Sequence, residues 1–190
     1  MLRFILSFFG AIFTLVTLGI AVVALSIGSI FYIYGRDLPS HESLAQYTPP
    51  TISRIYSGEG QMIDEFAEER RLFTPANEIP DLVKHAFISA EDKNFYTHKG
   101  YDAGGIIKAA LDAVKSRGRN VRGASTITQQ VMKNFLLGGE RKIERKIKEI
   151  ILATRVEETL SKDKILELYL NEIYLGANSY GVTAAAQTYF

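Results

Sequence analysis

Ionisable and aromatic side chains are concentrated between Glu91 and Asp102, in the run Glu-Asp-Lys-Asn-Phe-Tyr-Thr-His-Lys-Gly-Tyr-Asp. Before this run, apolar residues recur at helical spacing, so Glu91 and Asp92 are predicted at the end of a packed helix. Burial against Phe87 or Phe95 would favour a neutral carboxyl group, whereas basic groups across a cleft would favour the anion. A carboxyl group placed there can be tuned as a general base, although acidic residues after a helix more often form a solvated turn.

A second stretch, Gly-Ala-Ser-Thr-Ile-Thr-Gln-Gln at positions 123–130, is typical of the start of a helix. The free backbone N–H groups and the positive dipole end of a helix start can bind an anion. Gln130, Lys133 and Asn134 lie within about one helical turn of one another, so their donors can converge on one cluster of ligand oxygen atoms. The alternative is an ordinary helix cap with amide side chains at the surface. A nucleotide-binding P-loop is not predicted, because the Walker lysine pattern is absent.

Positive charge is concentrated in the same part of the chain. Between Ala103 and Lys148 there are eleven Lys or Arg residues and three acidic residues, although the net charge of the whole chain is only +1. Arg145 and Glu149 lie four residues apart in this region and could simply form a surface ion pair worth roughly 0.3–0.5 kcal/mol. The local excess of eight positive charges nevertheless implies an anionic partner.

A long apolar segment precedes these motifs. Residues 4–35 include no charged side chain over 32 positions, whereas a helix needs about 20 residues to cross a bilayer and the apolar core of a signal peptide has about 7 to 15. A transmembrane helix is therefore predicted at 4–35 in preference to a cleaved signal peptide, after a cytoplasmic tail at 1–3. Arg3 favours a cytoplasmic N-terminus and an exported body. The chain has no cysteine, which excludes disulfides and thiolate metal sites.

A mainly helical domain is predicted after the anchor. A juxtamembrane linker is expected at 36–50 and a β-hairpin segment at 51–75, since β-branched and aromatic residues flank the turn Ser-Gly-Glu-Gly at 57–60. On the long helix expected from Glu140 to about Leu160, apolar periodicity places Ile143, Ile147, Ile150 and Ile151 inward. Further helices are predicted after Pro80, around 106–114, from 126 onward, at 162–175 and after Gly181.

The predicted location restricts the anionic partner. Nucleic acid is disfavoured, because an exported and membrane-anchored domain rarely meets it and no RNA-binding combination of aromatic and basic residues occurs. A phosphorylated lipid fits better. The basic and apolar residues at 106–122 could also rest on anionic lipid headgroups, and an ordinary exposed basic loop is the alternative for that segment.

Four motifs occur in a fixed order along the chain. They are Glu91-Asp92-x-x-Phe95-x-x-His98-x-Gly100, Gly123-Ala124-Ser125-Thr126-x-Thr128-Gln129-Gln130, Arg145-Lys146-x-x-Glu149 and Leu166-Glu167-x-Tyr169-Leu170-Asn171. Together they resemble the signature of peptidoglycan glycosyltransferases of family 51. The match covers about Pro50 to Phe190. The apolar segment, the hairpin and Arg70-Arg71-Leu72-Phe73 are most similar to class A penicillin-binding proteins of the 1A type.

The resemblance implies a mainly α-helical, lysozyme-like lobe at 76–190 with a small membrane-embedded jaw, and a domain that continues for several helices beyond Phe190. The implied substrates are lipid II, a disaccharide-pentapeptide on undecaprenyl pyrophosphate, and the growing lipid-linked glycan chain at the periplasmic face of the inner membrane. Other cell-wall synthesis proteins are implied partners. Class A proteins also carry a transpeptidase domain, but Ser161-x-x-Lys164 matches its Ser-x-x-Lys motif by chance, since no Lys-Thr-Gly partner occurs.

The reaction that the resemblance implies is inverting glycosyl transfer. Glu91 would take the proton from the acceptor 4-hydroxyl, and Glu149 would either position the donor phosphates through a divalent metal ion, Mg²⁺ or Mn²⁺, or orient basic side chains. No organic cofactor is implied. Lys133, Arg145 and Lys146, with donors from Ser125, Thr126 and Gln130, would stabilise the pyrophosphate leaving group. The other implied site residues are Asp92, Phe95, His98, Asn134 and Asn171.

Two alternative functions compete with synthesis. A lysozyme-like lobe with a catalytic glutamate could cleave peptidoglycan as a hydrolase or lyase, but hydrolysis of an uncharged glycosidic bond needs no phosphate-facing excess of positive charge. A non-catalytic, membrane-anchored module would bind lipid II or a partner protein and form no polymer.

Overall fold

The computed structural model describes residues 2–36, 38–40, 44, 47, 53–66, 69–116, 123–137 and 142–190. Most of the linker expected at 36–50, and the basic residues expected at 117–122, lie outside the described residues. The chain divides into two compact units, Met1–Leu38 and Pro39–Phe190.

The first unit is a single helix, α1 (Leu2–Gly35). The helix includes the predicted span 4–35 and begins two residues earlier. Its segment Ser7–Gly35 is long and apolar enough to cross a membrane. The hydroxyl groups of Thr14, Thr17 and Ser26 each donate a hydrogen bond to the carbonyl oxygen four residues before them. These polar groups are therefore paired within the helix, as an apolar surrounding requires.

The second unit begins with the predicted hairpin. Strands β1 (Ser53–Tyr56) and β2 (Met62–Phe66) pair antiparallel, with Ser53 opposite Phe66 and Ile55 opposite Asp64. In the turn the Ser57 hydroxyl accepts hydrogen bonds from the backbone N–H groups of Glu59 and Gln61. Serine and glycine at a turn thus close the hairpin by the chemistry that the sequence indicated.

The rest of the unit is mainly helical, which confirms the predicted fold class. A short parallel bridge joins β3 (Arg70–Arg71) to β4 (Ser179–Tyr180). The helices are α2 (Asp81–Glu91), α3 (Ala103–Lys115), α4 (Ile127–Leu136), α5 (Lys142–Thr159), α6 (Lys162–Glu172) and α7 (Val182–Tyr189).

Helix α4 lies at the centre of this unit and packs against α5 and α6. Its first turn is buried together with apolar side chains of both neighbours. The Thr126 hydroxyl caps the helix by accepting a hydrogen bond from the backbone N–H of Gln129 at 3.2 Å. The start of α4 is therefore held by both core packing and its cap. The fully buried core side chains include Ile127, Met132, Leu152, Val156, Ile165 and Leu168.

Two sequence predictions about helices were wrong in detail. Ile143 is 79% exposed, because it lies in the first turn of α5, before the part of the helix that is covered; Ile151 is buried as expected. Helix α6 ends at Glu172 and not at Leu175. The backbone beyond Ile173 pairs with residues 179–181 instead of continuing the helix, since Leu175 N donates to Ser179 O and Gly181 N donates to Ile173 O.

Gly100 allows the segment after α2 to approach α5 closely. Its φ is +88°, and a Cβ atom there would lie 2.6 Å from the carbonyl carbon of Ala153 and 2.7 Å from the nitrogen of Thr154. These are backbone atoms of a packed helix, which cannot yield to a side chain. The Gly100 carbonyl oxygen also accepts hydrogen bonds from Thr126 Oγ1 at 2.8 Å and Gln129 Nε2 at 3.3 Å. A single glycine thus joins the α2–α3 segment to both α4 and α5.

Gly100→Ala should lower the free energy of unfolding by at least about 2 kcal/mol, because it combines a left-handed backbone with a steric clash. Urea unfolding in detergent, followed by far-ultraviolet circular dichroism, measures this change. Gly58→Ala is the matched control: a Cβ atom at Gly58 meets nothing within 4 Å, so its effect should stay below about 0.5 kcal/mol. Equal stabilities for the two variants would contradict the assigned role of Gly100.

Candidate active site

Glu91 is the last residue of α2, and its side chain is exposed. Its Oε2 accepts a hydrogen bond of 2.9 Å from Nε2 of Gln130 on α4. Asp92, the next residue, is only 6% exposed. The end of α2 therefore presents one carboxylate to solvent and directs its neighbour into the protein.

Asp92 ties the end of α2 to the start of α4. Its Oδ2 accepts one hydrogen bond from the backbone N–H of Ile127 and another from His98 Nε2, both at 2.9 Å. His98 Nδ1 accepts from the backbone N–H of Gly100 at 3.2 Å. The histidine ring therefore carries its proton on Nε2. These two hydrogen bonds hold the Asp92 carboxylate against the start of α4 and the His98 ring, so Asp92 can position its neighbours.

Phe95 and Thr126 are also directed inward. Phe95 is fully buried, and its ring lies edge-on to the His98 ring with centroids 6.2 Å apart. Thr126 is buried and bonded to Gly100 and Gln129. Both residues shape the site, and in this conformation neither side chain presents a polar group to a ligand.

A second cluster is centred on Lys146 of α5. Its Nζ donates to Ser125 Oγ at 2.6 Å, to Gln129 Oε1 at 2.8 Å and to Glu149 Oε2 at 3.0 Å. The other oxygen of Glu149, Oε1, lies 3.3 Å from Arg145 Nε. Glu149 is only 5% exposed, so a buried carboxylate forms ion pairs with two cationic side chains. The sequence alone favoured a surface pair between Arg145 and Glu149, and did not reveal the burial.

The two clusters face adjoining cavities that share Ser125. The smaller cavity has a volume of about 280 Å³ and is lined by Ser125, Gln129, Gln130, Lys133, Arg145, Lys146 and Glu149. The larger has a volume of about 350 Å³, and its lining includes Glu91, Asp92, Lys93, Asn94, Asp102, Lys108, Asp112 and residues 123–126. An exposed carboxylate thus opens into one cavity beside a second cavity lined by cationic and amide groups.

Not every residue implied by the resemblance lies in these cavities. Asn134 is exposed on α4 and lines neither cavity. Asn171 is buried, where its amide donates to the carbonyl oxygens of Thr74 and Glu167 and its Oδ1 accepts from Thr74 N. These bonds tie α6 to the segment before α2 and favour a scaffolding role for Asn171.

The structure adds polar residues that the sequence patterns did not single out. Gln129 accepts a hydrogen bond from Lys146 at Oε1, although the sequence patterns indicated only Gln130, Lys133 and Asn134 as the converging polar groups of this helix. Asp102 lines the larger cavity, where the backbone N–H of Gly105 and the side chain of Asn94 lower the pKa of its carboxyl group. The sequence indicated Asp102 as a candidate only because it is the last residue of the ionisable run that begins at Glu91.

The donor chemistry around Glu149 bears on the metal expectation. Both of its carboxylate oxygens already face a cationic side chain. Within the described ranges, no group of three or more His, Asp or Glu side chains converges to hold an ion. The described residues therefore form no Mg²⁺ or Mn²⁺ site from protein oxygens alone, and an ion that joins Glu149 to the donor phosphates stays a prediction. The contacts of Glu149 with Arg145 and Lys146 are those that the other expectation, orientation of basic side chains, requires.

Tyr169 of α6 lies beneath the end of α2. It is 1% exposed, and its ring lies edge-on to Phe87, one turn before Glu91, with centroids 6.0 Å apart. Within the described part of the chain its hydroxyl has no hydrogen-bond partner. Burial raises the pKa of Tyr169, and the negative charge of Glu91 raises it further. The hydroxyl is therefore neutral and unsatisfied near the exposed carboxylate.

Comparisons with known proteins identify the family that the motifs resemble. A family model described as Transglycosylase matches residues 59–190. Penicillin-binding protein 1A of Rickettsia bellii is 52% identical over 85% of this chain and 21% of its own length. The proteins of the same name from Rickettsia prowazekii and Neisseria meningitidis serogroup A are 49% and 47% identical, over 93% and 96% of this chain. The chain spans about a fifth of the length of these relatives.

Tyr169→Phe should leave the free energy of unfolding unchanged or raise it by up to about 1 kcal/mol, since it removes a buried hydroxyl that has no partner. Chemical unfolding of the purified chain in detergent tests this. Tyr189→Phe is the comparison variant, because the Tyr189 hydroxyl donates to Leu175 O at 3.0 Å, and its loss should cost roughly 0.5–1 kcal/mol. A larger loss from Tyr169→Phe than from Tyr189→Phe would show that the Tyr169 hydroxyl has a partner in solution.

Proposed function

Since the chain belongs to the transglycosylase family, we propose that it polymerises lipid II into glycan strands by inverting glycosyl transfer. One observation carries the proposal. The exposed carboxylate of Glu91, oriented by Gln130, opens into a cavity that shares Ser125 with a cavity lined by Lys133, Arg145 and Lys146. This places a base beside an anion-binding group, as glycosyl transfer from a pyrophosphate requires.

Glu91 acts as the general base. It takes the proton from the 4-hydroxyl of the acceptor sugar while that oxygen forms a bond to the anomeric carbon of the donor chain. The bond between the anomeric carbon and the pyrophosphate oxygen breaks, and its electron pair leaves with undecaprenyl pyrophosphate. The hydrogen bond from Gln130 holds one carboxylate oxygen of Glu91, so the other is available to the acceptor.

The cluster around Lys146 stabilises the leaving group. Glu149 offsets one of the two positive charges of Arg145 and Lys146, and Lys133 adds another, so the cavity keeps a net positive charge toward the donor. Because the buried Glu149 carboxylate lies against both Lys146 and Arg145, these cationic side chains are beside the cavity before charge develops on the pyrophosphate. No step is assigned to a metal ion, and a metal requirement stays a prediction.

The membrane supplies the lipid-linked substrate. We place α1 across the inner membrane with its N-terminus inside, and the second unit at the periplasmic face, as the charge at Arg3 favours. Helix α3 supports a membrane-facing role, because none of its residues is buried. It presents Lys108 and Lys115 beside exposed apolar side chains, as interfacial helices do. These exposed apolar side chains are Ile106, Ile107, Leu111 and Val114.

The alternative functions have less support. Hydrolysis would use Glu91 alone and would leave the Lys146 cluster without a role. A non-catalytic module would account for the cationic cavity and leave the exposed carboxylate beside it unexplained. Polymerisation uses both.

Glu91→Gln should lower the rate of lipid II polymerisation by about 10² to 10⁴-fold, because it keeps the hydrogen-bonding shape and removes the base. The measurement follows glycan chain formation from purified lipid II in detergent and, separately, binding of labelled lipid II. Binding should persist in the variant. Glu158→Gln, at an exposed position of α5, is the control and should polymerise normally. Lipid II binding by the wild-type chain without any polymer would instead support the non-catalytic module.

Lys133→Ala should weaken donor binding and turnover together, with a loss of about 10- to 100-fold in kcat/KM, since one charged contact to the pyrophosphate is removed. Steady-state kinetics over a range of lipid II concentrations checks this. Lys84→Ala is the control, because Lys84 pairs with Asp81 on α2 and lines neither cavity. Unchanged kinetics in Lys133→Ala would show that Lys133 is an ordinary exposed residue of α4 with no role in donor binding.

A further inference from the structure

A second group of ionisable side chains lies outside the two cavities of the candidate active site. Glu157 of α5 is nearly buried, and its Oε1 accepts hydrogen bonds from Thr128 Oγ1 at 2.6 Å and from Lys162 Nζ at 2.7 Å. Lys162 is the first residue of α6. This group therefore joins the starts of α4 and α6 to the C-terminal part of α5. None of its members lines either site cavity.

The ammonium group of Lys162 faces the segment that follows Glu91. Its Nζ lies 4.6 Å from the centroid of the Phe95 ring and 3.5 Å from His98 Nδ1. Glu157 Oε1 lies 3.6 Å from the same Nδ1. Because Nδ1 accepts the Gly100 N–H, it carries no proton, and its lone pair lies close to both the Lys162 ammonium and the Glu157 carboxylate. The lysine cation attracts that lone pair and offsets the charge of the nearby carboxylate.

We propose that Lys162 and Glu157 are positioning residues for Glu91. Their ion pair keeps His98 in the tautomer whose Nε2–H donates to Asp92, and Asp92 fixes the end of α2 on the start of α4. The role deepens the proposed function and rests on it, because the reaction that it serves is the transfer for which Glu91 is the base.

Removing the lysine charge would disturb this arrangement. The Glu157 carboxylate would then face the Nδ1 lone pair of His98 without a cation, and the ring would change to the tautomer with its proton on Nδ1 or rotate. Either change removes the acceptor of the Gly100 N–H. The Gly100 carbonyl oxygen holds Thr126 and Gln129, and Gln129 holds Lys146. A change at Lys162 would therefore reach both the base and the cationic cavity.

The ion pair is not explained by stability alone. Desolvation offsets most of the attraction within a largely buried pair, so its net contribution to folding is small even though loss of one partner is costly. The nearby Ser161-x-x-Lys164 pattern also has a separate, local explanation. The Ser161 hydroxyl caps α6 by accepting from Lys164 N, and Lys164 Nζ pairs with Glu167.

The first test is the protonation pattern of the His98 ring. The chain has three histidines, so the His98 ring nitrogens can be assigned in ¹⁵N-labelled protein by comparison with His98→Gln. At neutral pH the wild type should show a protonated Nε2 and an unprotonated Nδ1. Lys162→Met should add a proton at Nδ1 or mix the two tautomers. The control Lys164→Met removes a neighbouring lysine that also pairs with a glutamate, and should leave the wild-type pattern.

The second test is lipid II polymerisation by the same proteins. Lys162→Met should lower kcat by about 10- to 100-fold with a smaller rise in KM, because the base is disturbed directly and the Lys146 cluster only through Gly100 and Gln129. Lys162→Arg keeps the cation over Phe95 and the bond to Glu157, and should restore most of the rate. If Lys162→Met does not fold, judged by circular dichroism, Lys162→Gln replaces it, since its amide can still donate to Glu157 but carries no charge.

Distinct outcomes separate this role from the proposed function. A wild-type His98 pattern and normal kcat in folded Lys162→Met would overturn the positioning role, as would a rise in KM at constant kcat or a failure of Lys162→Arg to restore the rate. If no protein, wild type included, forms polymer, the proposed function fails, and the His98 spectra alone decide whether Lys162 fixes the ring.

Discussion

The active-site architecture depends on one buried carboxylate, Asp92. Its Oδ2 receives both the first backbone N–H of α4 and the His98 ring, so the end of α2 and the start of α4 cannot move independently. Glu91 is the adjacent residue, so the two hydrogen bonds of Asp92 also fix the backbone position of Glu91. A negative charge at the start of α4 also suits the helix dipole there. The exposed carboxylate of Glu91 thus has a defined position because its neighbour, Asp92, is buried and bonded.

Helix α4 connects the two halves of the proposed chemistry. Gln130 reaches Glu91, while Gln129 and the preceding Ser125 reach Lys146. Gln129 and Gln130 are consecutive and both line the smaller cavity, yet their side chains reach different partners because neighbouring positions on a helix point in different directions. Since the first turn of α4 is buried in the core, both sets of contacts are supported by packing. Rigid support of this kind is what positions a base and an anion-binding group relative to each other.

The sequence predicted the elements better than the contacts. Helices α2, α4 and α6 were predictable because apolar periodicity and local caps such as Thr126 and Ser161 lie within a few residues of each other. The burial of Glu149 was not predictable, because it depends on how α5 packs against α4. The same holds for Lys162, whose contacts with Phe95 and His98 join it to residues that are distant in sequence. Ile143 shows the converse. Apolar periodicity marks one face of α5, but it does not show at which residue the packing of other elements against that face begins.

Lys146 has a consequence for the anions that the smaller cavity can hold. An ammonium group has three N–H donors, and those of Lys146 are engaged by Ser125, Gln129 and Glu149. An incoming oxygen must therefore exchange places with one of these partners, and the neutral groups of Ser125 and Gln129 are weaker competitors than the Glu149 carboxylate. A weakly charged anion gains little from such an exchange, whereas a multiply charged one gains more. Full engagement of Lys146 by the protein therefore disfavours chloride or a simple carboxylate relative to a multiply charged group.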